Sequence, residues 1–78
     1  MKASAAIRAL ASHAGVSLYD VSRALGHAPS WAGVTARSGR EPAASTVAAV
    51  AGVCGCDLVV VDRETGKRVA TIDPPERG

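Results

Sequence analysis

The sequence predicts a mostly α-helical domain of four short helices followed by a C-terminal β-hairpin. Up to about residue 54, apolar residues recur at helical spacing, and glycines interrupt them at intervals that suit helix ends. From residue 58 onward the pattern changes to a β-branched run, a polar turn and a second short alternating segment. A chain of 78 residues is long enough for a single domain with a small core.

The first two helices are indicated by their apolar spacing and by their ends. Residues 2–13 place apolar side chains three or four positions apart, at Ala3, Ala6, Ile7, Leu10 and Ala11. Gly15 follows as a stop. Ser17 is a predicted N-cap, with Asp20 three residues later to complete a capping box. This second helix is predicted to end at Gly26 and to bury the stripe Leu18, Val21, Ser22 and Leu25.

A third helix is predicted over residues 29–37 and a fourth over residues 43–54. Pro29 suits the first helical position, where its missing N–H has no cost. The composition of residues 38–42 is that of a loop. The fourth helix presents one apolar face, made of Val47, Val50, Ala51 and Cys54.

The remaining residues predict two strands joined by a turn. The run of residues 58–61 is apolar and mostly β-branched, residues 62–67 form a polar turn with Gly66, and residues 68–72 alternate again. Pro74 and Pro75 end the second strand. The predicted organisation is therefore a helical unit over residues 1–56, a hairpin over residues 57–73 and a flexible tail over residues 74–78.

Composition limits the function classes. The net charge of +2 does not by itself indicate a nucleic-acid partner, and acidic residues concentrate in the last third, so any basic face belongs to the first half. The N-terminal residues lack the long uncharged apolar stretch of a signal peptide or membrane span, which predicts a cytoplasmic protein. Cys54 and Cys56 have a spacing that suits neither a zinc site nor a redox pair. We expect buried or half-buried thiols at a helix end, and no metal or other cofactor.

The order and spacing of these elements resemble the lambda-repressor and Cro-like helix-turn-helix family, also called XRE-like. The resemblance covers roughly residues 7–58 and lies in Gly15-Val16-Ser17, Val21-Ser22, Leu25-Gly26, the loop of residues 37–42 and the segment of residues 46–58. It implies a small transcriptional regulator of prophage or plasmid type that binds double-stranded DNA, with the third helix in the major groove. The small Ser22 then permits close approach of that helix, and Gly26 forms the turn.

The same resemblance assigns the residues that face DNA. Ser30 and Val34 have the chemistry to touch base edges, and Arg37 and Arg40 to reach phosphate or guanine. Trp31 is open to two interpretations, a partly buried packing residue or a ring against DNA. The predicted DNA-binding set is Ser17, Pro29, Ser30, Trp31, Gly33, Val34, Arg37 and Arg40.

Two other function classes are alternatives to DNA binding. An enzyme is not expected, because the sequence has no paired carboxylates on a rigid element, no Ser-His-Asp or Cys-His arrangement and no Gly-rich phosphate loop. No small-molecule ligand is expected either. The predicted base-facing positions lack Gln, Asn and Arg, and Leu18 opens the second helix where the family usually has a polar residue. The poor base-reading set on the third helix favours an alternative, a helix-turn-helix domain that contacts proteins, such as an antitoxin-like partner or a phage adaptor.

The first strand predicts a homodimer. All four of its residues are apolar, which implies that both of its faces are covered. The fourth helix can cover one face, and a second copy of the hairpin is expected to cover the other. The predicted dimerisation residues are Leu58, Val59, Val60, Val61, Val69 and Ile72.

Overall fold

The computed structural model describes residues 1–75, so residues 76–78 of the predicted tail lie outside it. It contains, in order, α1 (Ala3–Ala14), α2 (Leu18–Ala24), α3 (Trp31–Arg37), α4 (Ala44–Val53), β1 (Leu58–Val61) and β2 (Arg68–Ile72). The predicted mostly α-helical class, with four helices before a C-terminal hairpin, is confirmed. Within the described residues, no helix is both long and apolar enough to cross a bilayer.

The core is small and aliphatic, and all four helices contribute to it. Its buried cluster consists of Ile7, Ala11, Val21, Ala32, Val50 and Cys54. On α4, the predicted face of Val47, Val50, Ala51 and Cys54 is buried throughout. On α2, Val21 and Ser22 are fully buried, whereas Leu18 and Leu25 are half-buried at the edge of the cluster. The thin core follows from a composition with one Trp, one Tyr and no Phe.

Helices α1, α2 and α4 end in the same hydrogen-bonded arrangement. After α2, Gly26 N–H donates to the Arg23 carbonyl at 3.0 Å, and His27 N–H donates to the Ser22 carbonyl at 2.9 Å. This pair of bonds is a Schellman motif, which requires a left-handed residue, and Gly26 has φ +75°. An L side chain there would cost about 1–2 kcal/mol. The predicted helix stops at Gly15 and Gly26 are confirmed.

Helix α3 begins two residues later than predicted. Pro29 lies in the turn before the helix, where Trp31 N–H donates to the Ala28 carbonyl at 2.9 Å, and Ser30 is the N-cap. The placement of Pro29 at the first helical position was therefore wrong. The start of α3 is instead secured by a hydrogen bond from another helix, described below.

Glu41 ties the loop between α3 and α4 to the start of α1. Its Oε2 accepts the Ala3 N–H at 2.8 Å, and its Oε1 accepts the Ser4 hydroxyl at 3.4 Å. The first N–H groups of a helix have no partner within the helix, and their partial positive charge attracts a carboxylate. Glu41 therefore acts as a cap for α1 from 38 residues away.

The hairpin packs on α4 through only part of its surface. Leu58 lies opposite Ile72, and the two strands are antiparallel, with a bulge next to Val69. Leu58, Val59 and Ile72 are half-buried, and both strands contact α4. By contrast, Val60 and Val61 are each 47% exposed and Val69 is 67% exposed. A single copy of the chain therefore covers only the first half of β1.

The turn of the hairpin is closed by one carboxylate. Asp62 Oδ1 accepts the N–H of Glu64 at 2.9 Å and that of Thr65 at 3.0 Å. These two bonds, the Thr65 bond first, hold the pKa of Asp62 below its ordinary value. Residues 62–67 are thus organised as a turn and do not extend β1.

Candidate functional site

Helices α2 and α3 are joined by a buried hydrogen bond through Ser22. The Ser22 hydroxyl donates to the Leu18 carbonyl at 3.0 Å, and its oxygen accepts the Ala32 N–H at 2.8 Å. Ala32 lies in the first turn of α3, where N–H groups lack a partner within the helix. Ser22 therefore caps α3 from the middle of α2. Both residues are fully buried, so the bond fixes the position of one short helix on the other.

The start of α2 is an ordinary capping box. Ser17 Oγ accepts the Asp20 N–H at 3.0 Å, and Ser17 N–H donates to Asp20 Oδ2 at 3.1 Å. The bond from the Ser17 backbone, then the bond from its side chain, lowers the pKa of Asp20. An ionised carboxylate beside Ser17 repels phosphate. The capping box is confirmed, but it gives Ser17 a role within the fold and weakens its prediction as a contact residue.

Three exposed residues and one half-buried glycine form a stripe along α3 at helical spacing. It starts at Ser30, passes Gly33 and Val34 and ends at Arg37, so that its members lie three, four and seven positions after the first. Val34 is 52% exposed, and Ser30 and Arg37 are also exposed. The opposite side of α3 carries Ala32 and Ala36, which pack into the core. We call this set the α3 stripe. It unites four of the predicted contact residues on one side of one helix.

Gly33 is in the middle of the α3 stripe and has a helical conformation. Among the described residues, the closest group that a Cβ at this position would meet is Arg37 Nη1, at 3.4 Å. The guanidinium is the end of a flexible side chain, so the fold itself has room for a larger residue. Glycine inside a helix costs about 0.5–1 kcal/mol relative to alanine.

Trp31 packs inward, in line with the packing interpretation. It is half-buried against the core, and His27 stacks on it with ring centroids 4.1 Å apart and planes 15° apart. These two side chains, with Leu25, Thr46, Ala49 and the segment of Pro74 and Pro75, line an open groove of about 570 Å³. Trp31 thus lines this groove together with residues of α4 and of the segment that follows β2.

The predicted cationic residues lie at the end of α3 and beyond it. Arg37 and Arg40 are both exposed, while the neighbouring Glu41 directs its carboxylate to α1. The α3 stripe and the loop after it therefore carry two exposed arginines, and the carboxylate next to Arg40, that of Glu41, accepts the Ala3 N–H. A further exposed arginine, Arg23, lies on α2 and donates to the Tyr19 hydroxyl at 3.1 Å. The predicted DNA-binding set included neither Arg23 nor Tyr19.

Comparison of the chain with family models, curated proteins and solved structures finds no match.

The cysteines form part of the fold at the end of α4. Cys54 is buried, and Cys56 is half-buried with its thiol directed to the Cys54 carbonyl at 3.6 Å. Burial, and then the neighbouring Cys56, raises the pKa of the Cys54 thiol. The predicted buried or half-buried thiols are confirmed. Within residues 1–75, no three His, Cys, Asp or Glu side chains converge as metal ligands.

Proposed function

We propose that the chain has a lambda-repressor-like, XRE-like helix-turn-helix fold and binds duplex DNA as a small transcriptional regulator. The observation that supports this most is the α3 stripe, an exposed helix face that Ser22 holds rigidly on α2. In this proposal α2, the turn at Gly26 and α3 are the helix-turn-helix unit, and α3 enters the major groove. That groove is about 12 Å wide and admits a helix.

Each member of the α3 stripe contributes differently to this proposal. Gly33 removes side-chain bulk from the centre, so that the helix backbone can approach base edges. Val34 can contact a thymine methyl group, and Ser30 can donate or accept a hydrogen bond. Arg37 is on the same side of the helix and can form a bidentate pair with guanine or bind phosphate, whereas Arg40, in the loop, is assigned to phosphate.

Other residues in the predicted set have supporting roles in the proposal. Pro29 fixes the turn that leads into α3, and Trp31 packs the start of α3 against the core. Ser17 is not assigned a contact, because its hydroxyl oxygen and its N–H both bind Asp20.

We expect fluorescence anisotropy to detect binding to long labelled duplexes of several sequences at about 50 mM salt, and to show steep weakening towards 200 mM. Each phosphate contact contributes about −0.9 to the slope of log K against log salt. Arg37→Ala and Arg40→Ala should each weaken binding several-fold, and loss of a phosphate contact should reduce the slope by about one unit.

The matched control is Arg63→Ala, which removes another exposed arginine, from the hairpin turn. It should bind DNA as the unmodified protein does. No binding at low salt would contradict the proposal and leave the protein-contact alternative. If Arg37→Ala and Arg40→Ala remain folded and bind DNA as well as Arg63→Ala does, α3 and its loop are not part of the DNA interface.

Gly33→Ala, within the α3 stripe, is expected to increase stability while weakening or altering DNA binding. The substitution should raise the free energy of unfolding by about 0.5–1 kcal/mol, because alanine is the better helix former and only a flexible guanidinium lies near. In the same anisotropy assay it should nevertheless weaken binding or change the preference among duplexes, because a methyl group then faces the bases. A more stable variant with unchanged binding to all sequences would show that DNA does not approach Gly33 closely.

A further inference from the structure

The groove beside Trp31 lies where two helices fail to pack on each other. Helices α3 and α4 both contact α1 and α2, but they make no close backbone contact with one another. Residues of both helices, of the end of α2 and of the segment after β2 line the groove, which has a volume of about 570 Å³. Protein ligand sites have volumes of about 300–1,000 Å³. We call this space the Trp31 groove.

The walls of the Trp31 groove are apolar for the most part. The rings of His27 and Trp31 are stacked on each other, and Pro74 and Pro75 add two pyrrolidine rings. Because a residue that precedes proline is restricted to extended backbone, the proline wall is stiff. Among the described residues, no lysine, arginine, aspartate or glutamate lines the groove. Such a surface suits a neutral ligand with apolar rings, and it does not suit phosphate or a charged peptide.

Three polar side-chain groups also line the groove, and none of them is used by the fold. They are the Trp31 indole N–H, the His27 imidazole and the Thr46 hydroxyl. Within residues 1–75 they make no hydrogen bond to another protein group, and no polar side-chain atom there is both buried and unpaired. The three groups are therefore accessible to a ligand. The indole donates only, and the other two can donate as well, so the groove offers hydrogen-bond donors to an incoming acceptor.

A proline-rich chain in the polyproline II conformation has the complementary chemistry. Its residues carry apolar rings and carbonyl acceptors but no N–H donors, and the conformation has no internal hydrogen bonds that would occupy the carbonyls. Such chains dock in aromatic-lined grooves, and their preformed backbone loses little entropy on binding. Small-molecule sites bury about 70–90% of the ligand. An open groove favours an extended chain instead.

We propose that the Trp31 groove binds a proline-rich segment of a partner protein in the polyproline II conformation. The proline rings of the partner pack on Trp31 and His27, and its carbonyls accept hydrogen bonds from the Trp31 indole and the Thr46 hydroxyl. This interaction goes beyond the proposed DNA binding and does not depend on it. At about 100° per residue, Trp31 lies about 110° around α3 from the centre of the α3 stripe. A bound peptide therefore leaves the stripe accessible.

The fluorescence of Trp31, the single tryptophan of the chain, measures occupancy of the groove directly. Decaproline does not fluoresce in this range, and its binding should shift the emission to shorter wavelength in a saturable way, because the peptide excludes water from a half-buried indole. A glycine-serine decapeptide, which is flexible, should leave the emission unchanged. Between 50 and 200 mM salt the affinity for decaproline should change less than about twofold, whereas DNA affinity should fall steeply.

Several results of this titration would overturn the proposal. One is the absence of a saturable shift with decaproline, and another is an equal shift with the glycine-serine peptide. A shift with free indole but not with decaproline would assign the groove to a small aromatic ligand. An emission change that depends on protein concentration, without any peptide, would show that a second copy of the chain fills the groove.

Two pairs of variants locate the bound peptide. Ala49→Leu fills the groove and should weaken decaproline binding tenfold or more, whereas the matched control Ala5→Leu, on the exposed side of α1, should bind as wild type does. Thr46→Val keeps the shape but removes a donor, so binding should weaken several-fold. Its control is Thr71→Val, which is exposed on β2 and outside the groove. Equal affinity of both members in each pair would contradict binding at this groove.

Discussion

Replacing Ser22 by alanine is expected to lower the free energy of unfolding by about 1–3 kcal/mol. The substitution removes the only side-chain acceptor that the described structure gives to the buried Ala32 N–H, and a buried N–H without a partner carries its full desolvation cost. It also leaves a small gap between α2 and α3. The loss should appear in urea unfolding followed by circular dichroism and by the fluorescence of Trp31, which begins α3.

Ser12→Ala is the matched control for this substitution. Ser12 is exposed on α1, so the same chemical change there should be neutral or slightly stabilising, because alanine has the higher helix propensity. The Ser22 variant should also lose DNA affinity, since α3 is then no longer fixed on α2. Equal stability of the two variants would show that the Ser22 to Ala32 bond does not hold α3 in place.

Ile7→Ala should have the largest effect on stability, a loss of about 2–5 kcal/mol. Ile7 is completely buried at the centre of the core, and α1 contacts all three other helices. Domains of this kind have total stabilities of about 5–15 kcal/mol, and a thin core places this one towards the lower end. Thermal unfolding should therefore show a strongly lowered midpoint or a chain that is already partly unfolded at 25 °C.

The other isoleucine of the chain provides the comparison. Ile72 is half-buried at the end of β2, so Ile72→Ala removes the same atoms from a site that is already partly hydrated. Its loss should be clearly smaller than that of Ile7→Ala. Similar losses would indicate that the hairpin contributes to the core as much as α1 does.

Helix ends that are fixed by residues a few positions apart in the sequence agree with the sequence prediction. The capping box of Ser17 and Asp20 joins residues three apart, and the turn at Gly26 is formed by bonds across three and five residues. Such contacts form when the local backbone folds, so residue types at fixed spacing are enough to place them. The same holds for the α3 stripe, because its four positions follow from helical spacing once α3 is recognised.

For Ser22, the sequence predicted burial but not the group to which its hydroxyl is hydrogen-bonded. Its place in the buried stripe of α2 was predicted, and a buried hydroxyl needs a hydrogen-bond partner. The identity of that partner, the Ala32 N–H, depends on how α3 packs across α2. Propensity alone therefore placed the start of α3 at Pro29, whereas the contact with Ser22 accompanies a start at Trp31.

By itself, then, the sequence determined the number, order and type of the elements, the helix ends at Gly15 and Gly26 and the apolar face of α4. Only the tertiary structure decided that Glu41 caps α1, that His27 stacks on Trp31 and that Val69 stays exposed on β2. The reason is distance along the chain. Local hydrogen bonds and periodic burial involve residues a few positions apart, whereas the Glu41 cap joins residues 38 positions apart and exists only after the helices have packed.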